Sequence, residues 1–364
     1  MEDEIEALKK RIEFNKTEPE VIIGLVKDAT GKGEKIRKEN AVIKKVAADL
    51  YNELSKREKI IFDENDVDSN LNFKDHCSIG IDGSFYTIGG VGGKWYAPYA
   101  IVRILFENGI DQEPEVDVYA AGIEEINEQE HINVDGEASR RMLIGETKAL
   151  EDWGKKNRKS IIFIDGPIVD PPSYNKSEYL DYRCNAVKAC LSRSKLVGCV
   201  KLSRDKFFIK KFEKMLGATG DIQKYFPSDQ HLFSYFFTSY RFKKNYDGFL
   251  FSKVLDVSDN ETFKFYKERG VHIYSIFFQN SLNSKILRLD IARGGKEENQ
   301  HYFEEVVKAA ADWQYPEQYI PVPVELAHEK CKIRQGAAET IYDEILTRSS
   351  AGDPEEIITM FQLR

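Results

Sequence analysis

The chain has 364 residues, of which 41% are hydrophobic, 31% charged and 12% aromatic. Disordered chains are poorer in aromatics, so this one buries a sizeable core, in one large domain or two ordinary ones. The formal net charge of -8 argues against a general nucleic-acid coat protein, although local clusters of charge still set the local field. There is no apolar run of about 18 residues, which excludes a transmembrane helix. The first residues, MEDEIEALKKRIEF, are charged throughout and lack an apolar signal region. The five cysteines are scattered and form no CxxC pair, which disfavours a disulfide framework or a Cys-rich zinc site. These features together predict a soluble cytoplasmic protein.

In chain order, residues 1–14 predict a short charged helix, and residues 33–60 a longer one. Ile36, Ile43, Val46, Ala47, Leu50 and Leu54 form its apolar stripe. Residues 1–70 therefore read as a helical N-terminal region outside the core. The core begins at CSIGID, residues 77–82, an apolar run that ends in Asp82 with Gly83 next. FYTIGGVGG, KWYAPYAIVRILF and EVDVYAAGI follow. They are aromatic and β-branched runs broken by turn residues, and they predict an antiparallel meander. The glycines at 89, 90, 92 and 93 mark a turn or bulge; no GK[ST] follows them, which disfavours a phosphate loop.

A helix is expected over residues 136–155, then a strand SIIFID over 160–165. That strand is apolar on both faces, as a central buried strand is. A helix over 176–193 leads to a strand LVGCVKL at 196–202. Further strands are expected at GFLFSKVLDV, VHIYSIFF and KILRLDIA. A helix HYFEEVVKAAADW and another over about 324–346 close the pattern. The whole reads as one α/β core over residues 71–333 with helical additions at both ends, the C-terminal one being residues 334–364.

Charge is unevenly spread. From Glu107 to Glu137 there are eleven acidic residues and no Lys or Arg, whereas from Arg183 to Lys214 there are ten basic residues against Asp205 and Glu213. The second stretch is a candidate polyanion contact.

Asp82 and Asp165 each end an apolar strand, with glycine next, where backbone can approach a ligand closely. Ligands of open α/β sheets bind beyond the carboxyl ends of strands. Adjacent parallel strands would bring both acids together. Between them, Glu146 falls within roughly 40° of Met142 on a helical wheel, inside the apolar face, whereas Glu137 falls on the opposite side. A carboxylate on that face needs a partner or a metal. Three converging carboxylates repel one another, and one or two hard cations, Mn²⁺ or Mg²⁺, relieve the repulsion. His328 lies one turn inside a helix entered through the stiff prolines 316, 321 and 323. It is a candidate metal ligand or general acid. The run Tyr235-Phe236-Phe237, with Tyr240 and Phe242, is core or a subunit interface.

Five blocks resemble the NurA family of archaeal and bacterial nucleases. They are IDGSF at 81–85, the helix with Arg141 and Glu146, FIDGP at 163–167, LVGCVKLS at 196–203 and YIPVPVELAH at 319–328. They span residues 77–333 in the family's order. The resemblance implies an RNase H-like mixed-sheet core flanked by helices. It implies manganese-dependent cleavage of DNA, 5′ to 3′ and as single-strand nicking. It implies a homodimer with a channel, working with the hexameric ATPase HerA in DNA end resection for recombinational repair. On single- and double-stranded DNA the family's acids match Asp82, Glu146 and Asp165, and its late histidine matches His328. Its late tyrosine matches Tyr319 most nearly, with Tyr315 open. For the DNA backbone the expected contacts are Lys201, Arg204, Lys206, Lys210 and Lys211. Two other readings compete: an actin-like or sugar-kinase ATPase, and a non-catalytic DNA clamp or adaptor whose acids are structural.

Overall fold

The computed structural model describes residues 18–89, 94–127, 133–169, 177–217, 221–295, 299–349 and 355. The helix expected over 1–14 and the glycines at 90, 92 and 93 lie outside the described residues.

The strands in chain order are β1 (Ile61–Asp63), β2 (Ser78–Phe85), β3 (Ile88–Gly89), β4 (Lys94–Phe106), β5 (Glu115–Asn127), β6 (Ile161–Asp165), β7 (Lys195–Val200), β8 (Leu250–Ser252), β9 (Leu255–Asp256), β10 (Val271–Gln279) and β11 (Leu287–Gly294). They form one sheet in the order β1-β8-β10-β11-β7-β6-β2-β4-β3, with β5 on β4 and β9 on β10. The meander is present: β2, β4 and β5 are antiparallel neighbours. Strands β6 and β7 then add in parallel beside β2. Reading across, β5-β4-β2-β6-β7 is the strand order of an RNase H-like core, and β11, β10, β8 and β1 extend it.

The helices are α1 (Pro19–Ser55), α2 (Val134–Lys155), α3 (Ser177–Leu191), α4 (Phe207–Leu216), α5 (Asp229–Lys244), α6 (Glu261–Glu268), α7 (Gln300–Asp312), α8 (Val322–Cys331) and α9 (Gln335–Ser349). The two faces of the sheet bury different cores. Ile79, Ile81, Ile162 and Ile164 pack under α2 to α5. Ile161, Phe163, Val197 and Cys199 pack under α7 and α8. Strands alternate sides with period two, so the apolar run of β6 serves both cores at once.

Several expectations change. Helix α1 begins at Pro19, well before residue 33, because proline is pre-set for the first helical turn. Its stripe is engaged only from Ile43 onward; Ile36 is 53% exposed, while Leu54 is fully buried. The N-terminal region is not all helical. Ile60 and Ile61 are buried, and Ile61–Asp63 pairs with β8 at the sheet edge. The single helix expected over 324–346 is two, α8 and α9, since Lys332 takes an extended ψ of 114°. Helices α4, α5 and α6 fill stretches where no helix was read. In α5, Phe236 and Phe237 are fully buried, so they are core rather than interface, whereas Phe242 is 76% exposed.

Candidate metal centre

Asp165 ends β6 as expected, but Asp82 lies inside β2, which runs on to Phe85 because β4 continues to pair with it; only the parallel pairing with β6 stops at Ile81, and register there puts the two acids side by side. Ile81 on β2 pairs with Ile164 on β6, so Asp82 and Asp165 are the next residues of two parallel neighbours. Ile79 and Ile81 face α2, so Asp82, of opposite parity, faces α8. The backbone of α8 lies directly on β2: a Cβ built on Gly80 would fall 2.1 Å from the Pro323 carbonyl carbon. That close approach delivers His328 to the acids. Its Nδ1 is 2.8 Å from Asp82 Oδ2 and 3.2 Å from Asp165 Oδ2.

Asp82 is buried, at 5% exposure. It accepts from His328 and, at 3.4 Å, from the Cys331 thiol. Burial and the neighbouring Asp82 push the Asp165 carboxyl up, against the pull of Lys201 and His328. The hydrogen bond to Asp82 holds the His328 imidazole above its ordinary value, against desolvation. Burial and Asp82 push the Cys331 thiol up.

One ligand atom each from Asp82, Asp165 and His328 lies within 4.8 Å of the others. Two carboxylate oxygens and an imidazole nitrogen suit a hard or borderline divalent cation such as Mn²⁺ or Mg²⁺. The donor set therefore fits the metal that the sequence implies.

Glu146 is not one of that triad. It is buried on α2, as its wheel position requires, but α2 covers the opposite face of the sheet. It comes to β2 at Gly83, where a Cβ would meet Ile101, Met142 and Glu146 Oε1 at 2.7, 2.8 and 3.0 Å. The glycine after Asp82 therefore makes room for a helix rather than a ligand. Gly166 differs: its φ is 91° and no atom would lie within 4 Å of a Cβ there. Glu137 is engaged by Arg140 at 2.6 Å and Arg141 at 2.9 Å, which pull its carboxyl down to about 2. The expected contrast is that Glu146→Gln loses DNA cleavage and Glu137→Gln keeps it. Gel assays of both purified variants check this, and the reverse result would assign the chemistry to the other face of α2.

The basic stretch divides. Lys201 follows β7, and its Nζ is 2.6 Å from Asp165 Oδ2, so its charge is spent within the centre rather than presented to solvent. Arg204 and Lys210 are exposed, and Lys206 and Lys211 half-buried, along the loop and helix α4 that follow. Among the described residues no ion pair engages these four. Tyr319 does not touch the acids. Its hydroxyl donates to the Lys201 carbonyl, so it supports the strand end. Tyr315 is 52% exposed and lines a separate cavity with Glu64, Lys74 and Phe249. Sequence reading passed over Gln230, which bonds the same Lys201 carbonyl at 2.9 Å, and Glu325. The spacing of Glu325 to His328, three residues on one helix, was the available signal.

Comparison with known proteins decides the family. The NurA domain model matches residues 44–333, most of the chain. The chain belongs to the NurA family of nucleases. The crystal structure of the NurA nuclease from Sulfolobus solfataricus superposes with a TM-score of 0.57 at 13% identity, covering 93% of this chain and 100% of that one. A second NurA crystal structure gives 0.40 at 11% identity, over 76% of this chain and 90% of that one. Endonuclease V of Ciona intestinalis, in complex with an inosine-containing 24mer DNA, gives 0.34 at 11% identity, over 85% and 99%. No curated protein matches the sequence. At such identities the likeness to the Sulfolobus NurA is one of fold. Among the described residues of this NurA-family chain, no helix is long and apolar enough to cross a membrane.

Proposed function

We propose that this NurA-family chain is a divalent-metal-dependent deoxyribonuclease. The observation that carries the reading is the convergence of Asp82, Asp165 and His328 where the parallel pairing of β2 with β6 stops. Asp82 and Asp165 would each give a carboxylate oxygen to the ion, His328 a ring nitrogen, and Glu146 a further carboxylate from α2. One or two bound Mn²⁺ or Mg²⁺ ions supply an activated water and stabilise the leaving oxygen of a phosphodiester. The chain's own part is to hold the acids adjacent, and Tyr319 fixes the Lys201 main chain beside them. Incubating the purified chain with labelled single- and double-stranded DNA tests this: cleavage with Mn²⁺ and none with EDTA is expected. DNA binding that persists in EDTA with no products in either condition would favour the clamp reading. ATP hydrolysis without cleavage would favour the kinase-like one.

Arg204, Lys206, Lys210 and Lys211 stand at the same end of the sheet as the acids, since β7 runs parallel to β6. We assign them the DNA backbone, with Lys201 closer to the reacting centre. Each lost phosphate contact lowers the salt slope of binding by about 0.9. Reversing all four to Glu weakens DNA binding at low salt in a filter assay; unchanged affinity would mean that this face is turned from the DNA.

Family membership supports the finer reading. The chain then acts as a 5′ to 3′ exonuclease and single-strand endonuclease, with a HerA-type hexameric ATPase, in DNA end resection in the cytoplasm. A closed homodimer would set two basic stretches against one channel and leave the acidic stretch of residues 107–137 outside it. Light scattering that gives a monomer with full nuclease activity would remove the channel.

A further inference from the structure

Lys201 sets a cation on the same carboxylate oxygen that a divalent ion would use. Its Nζ is 2.6 Å from Asp165 Oδ2, an oxygen that also lies 3.2 Å from His328 Nδ1. The main chain beneath Lys201 is clamped. Gln230 Nε2 donates to the carbonyls of Lys201 and Ile286, at 2.9 and 2.8 Å, and its Oε1 accepts from the Ser203 amide at 2.8 Å. The Tyr319 hydroxyl donates to the same Lys201 carbonyl. Arg288, buried at 3% exposure, donates to Ser203 Oγ at 2.9 Å and pairs with Asp205 and Asp290. Any displacement of the ammonium is therefore a swing of the side chain about a fixed backbone, which a flexible lysine stem permits.

A second acceptor waits on α8. Glu325 Oε2 is buried and has no hydrogen-bond partner. A buried carboxylate oxygen without a donor is costly until one arrives. Glu325 lies one turn before His328, and the charges of both Lys201 and His328 act on its carboxyl.

We propose that Lys201 is a built-in competitor of the divalent cation at Asp165, and that Glu325 takes its ammonium when the cation binds. The inference rests on the reading of Asp82, Asp165 and His328 as metal ligands. Like charges on one carboxylate repel, so the ion and the ammonium exclude each other from Asp165. The free energy of that exchange raises the metal concentration at which the centre fills. Glu325 lowers it again by giving the ammonium a place to go, and so acts through Lys201 as a positioning residue.

Calorimetric titration of the full chain with MnCl₂ tests this without reference to cleavage, with circular dichroism confirming that each variant is folded. Lys201→Met is expected to tighten Mn²⁺ binding by about tenfold. Lys201→Arg, which keeps the charge, does not tighten it. Glu325→Gln weakens binding severalfold in the Lys201 background and has no effect when combined with Lys201→Met. Weakening by Glu325→Gln in both backgrounds would make Glu325 a direct ligand and overturn the exchange. Binding that Lys201→Met leaves unchanged overturns the inference alone. Failure of the wild-type chain to bind Mn²⁺ at all would overturn the metal centre and this inference with it.

Discussion

Asp82→Asn and Asp165→Asn are each expected to abolish DNA cleavage while the chain stays folded. The amide keeps the shape of the carboxylate and removes its charge. At Asp82 the amide oxygen still accepts from His328 Nδ1, now 2.8 Å away, so the contact between β2 and α8 survives. At Asp165 the substitution removes a half-buried acid whose carboxyl is pushed up by desolvation and by the adjacent Asp82. The folded state therefore loses little by the change, although Lys201 loses its partner. Activity is a different matter. An amide does not replace an anionic ligand of a hard cation. The expected loss exceeds the roughly 100-fold typical of removing an outer hydrogen-bond partner of a metal ligand. Cleavage assays on both variants, alongside thermal melts, separate the two effects. Full activity in either folded variant would remove that acid from the centre.

The elements of the centre were legible in the sequence because each rests on a local pattern. An apolar run followed by Asp-Gly announces a strand twice, although only Asp165 ends its strand and β2 runs past Asp82 to Phe85, and a Pro-rich entry announces the helix of His328. What joins them is not local. That β2 and β6 are parallel neighbours follows from the βαβ-like crossover through α2, and the sequence only permits it. The face on which Glu146 arrives depends on which side of the sheet α2 packs, and a helical wheel has no information on that. The fate of Lys201 was hidden for the same reason. Its charge reads as one of ten in a basic stretch, yet register sets Cys199 opposite Asp165 and turns Lys201 inward. Helices α4 and α5 were missed because their aromatic faces, such as Phe208, Phe212, Phe233 and Phe237, resemble strand composition. The break between α8 and α9 carries no glycine or proline; it is marked by Ser84, whose hydroxyl donates to the Cys331 carbonyl and accepts from the Ile333 amide, and by the contact of Cys331 with Asp82.

Gly80→Ala is expected to damage the protein as severely as the loss of an acid, though it lies outside the chemistry. Glycine at this position lets α8 rest its backbone on β2. The added methyl would fall 2.1 Å from both the carbonyl carbon and oxygen of Pro323 and 2.4 Å from the Val324 nitrogen. All three are main-chain atoms, so no rotamer change makes room. Pro321 and Pro323 stiffen the same segment, and Pro323 and Val324 are buried, so the helix cannot bend locally. It must move as a unit, by more than about 1 Å, to reach ordinary contact distance. His328 rides on that helix, and a shift of this size breaks its 2.8 Å contact with Asp82. Overpacking of this kind costs at least about 3 kcal/mol. Urea denaturation is expected to show that loss, and the fraction that stays folded is expected to cleave DNA poorly at any Mn²⁺ concentration. Gly166→Ala is the control. It also lies beside an acid, but no atom lies within 4 Å of its added methyl, and only the φ of 91° opposes it. Its cost is about 1–3 kcal/mol of backbone strain, with His328 left in place. Wild-type stability and cleavage in Gly80→Ala would mean that α8 is not seated on β2 as described, and that His328 reaches the acids by another route.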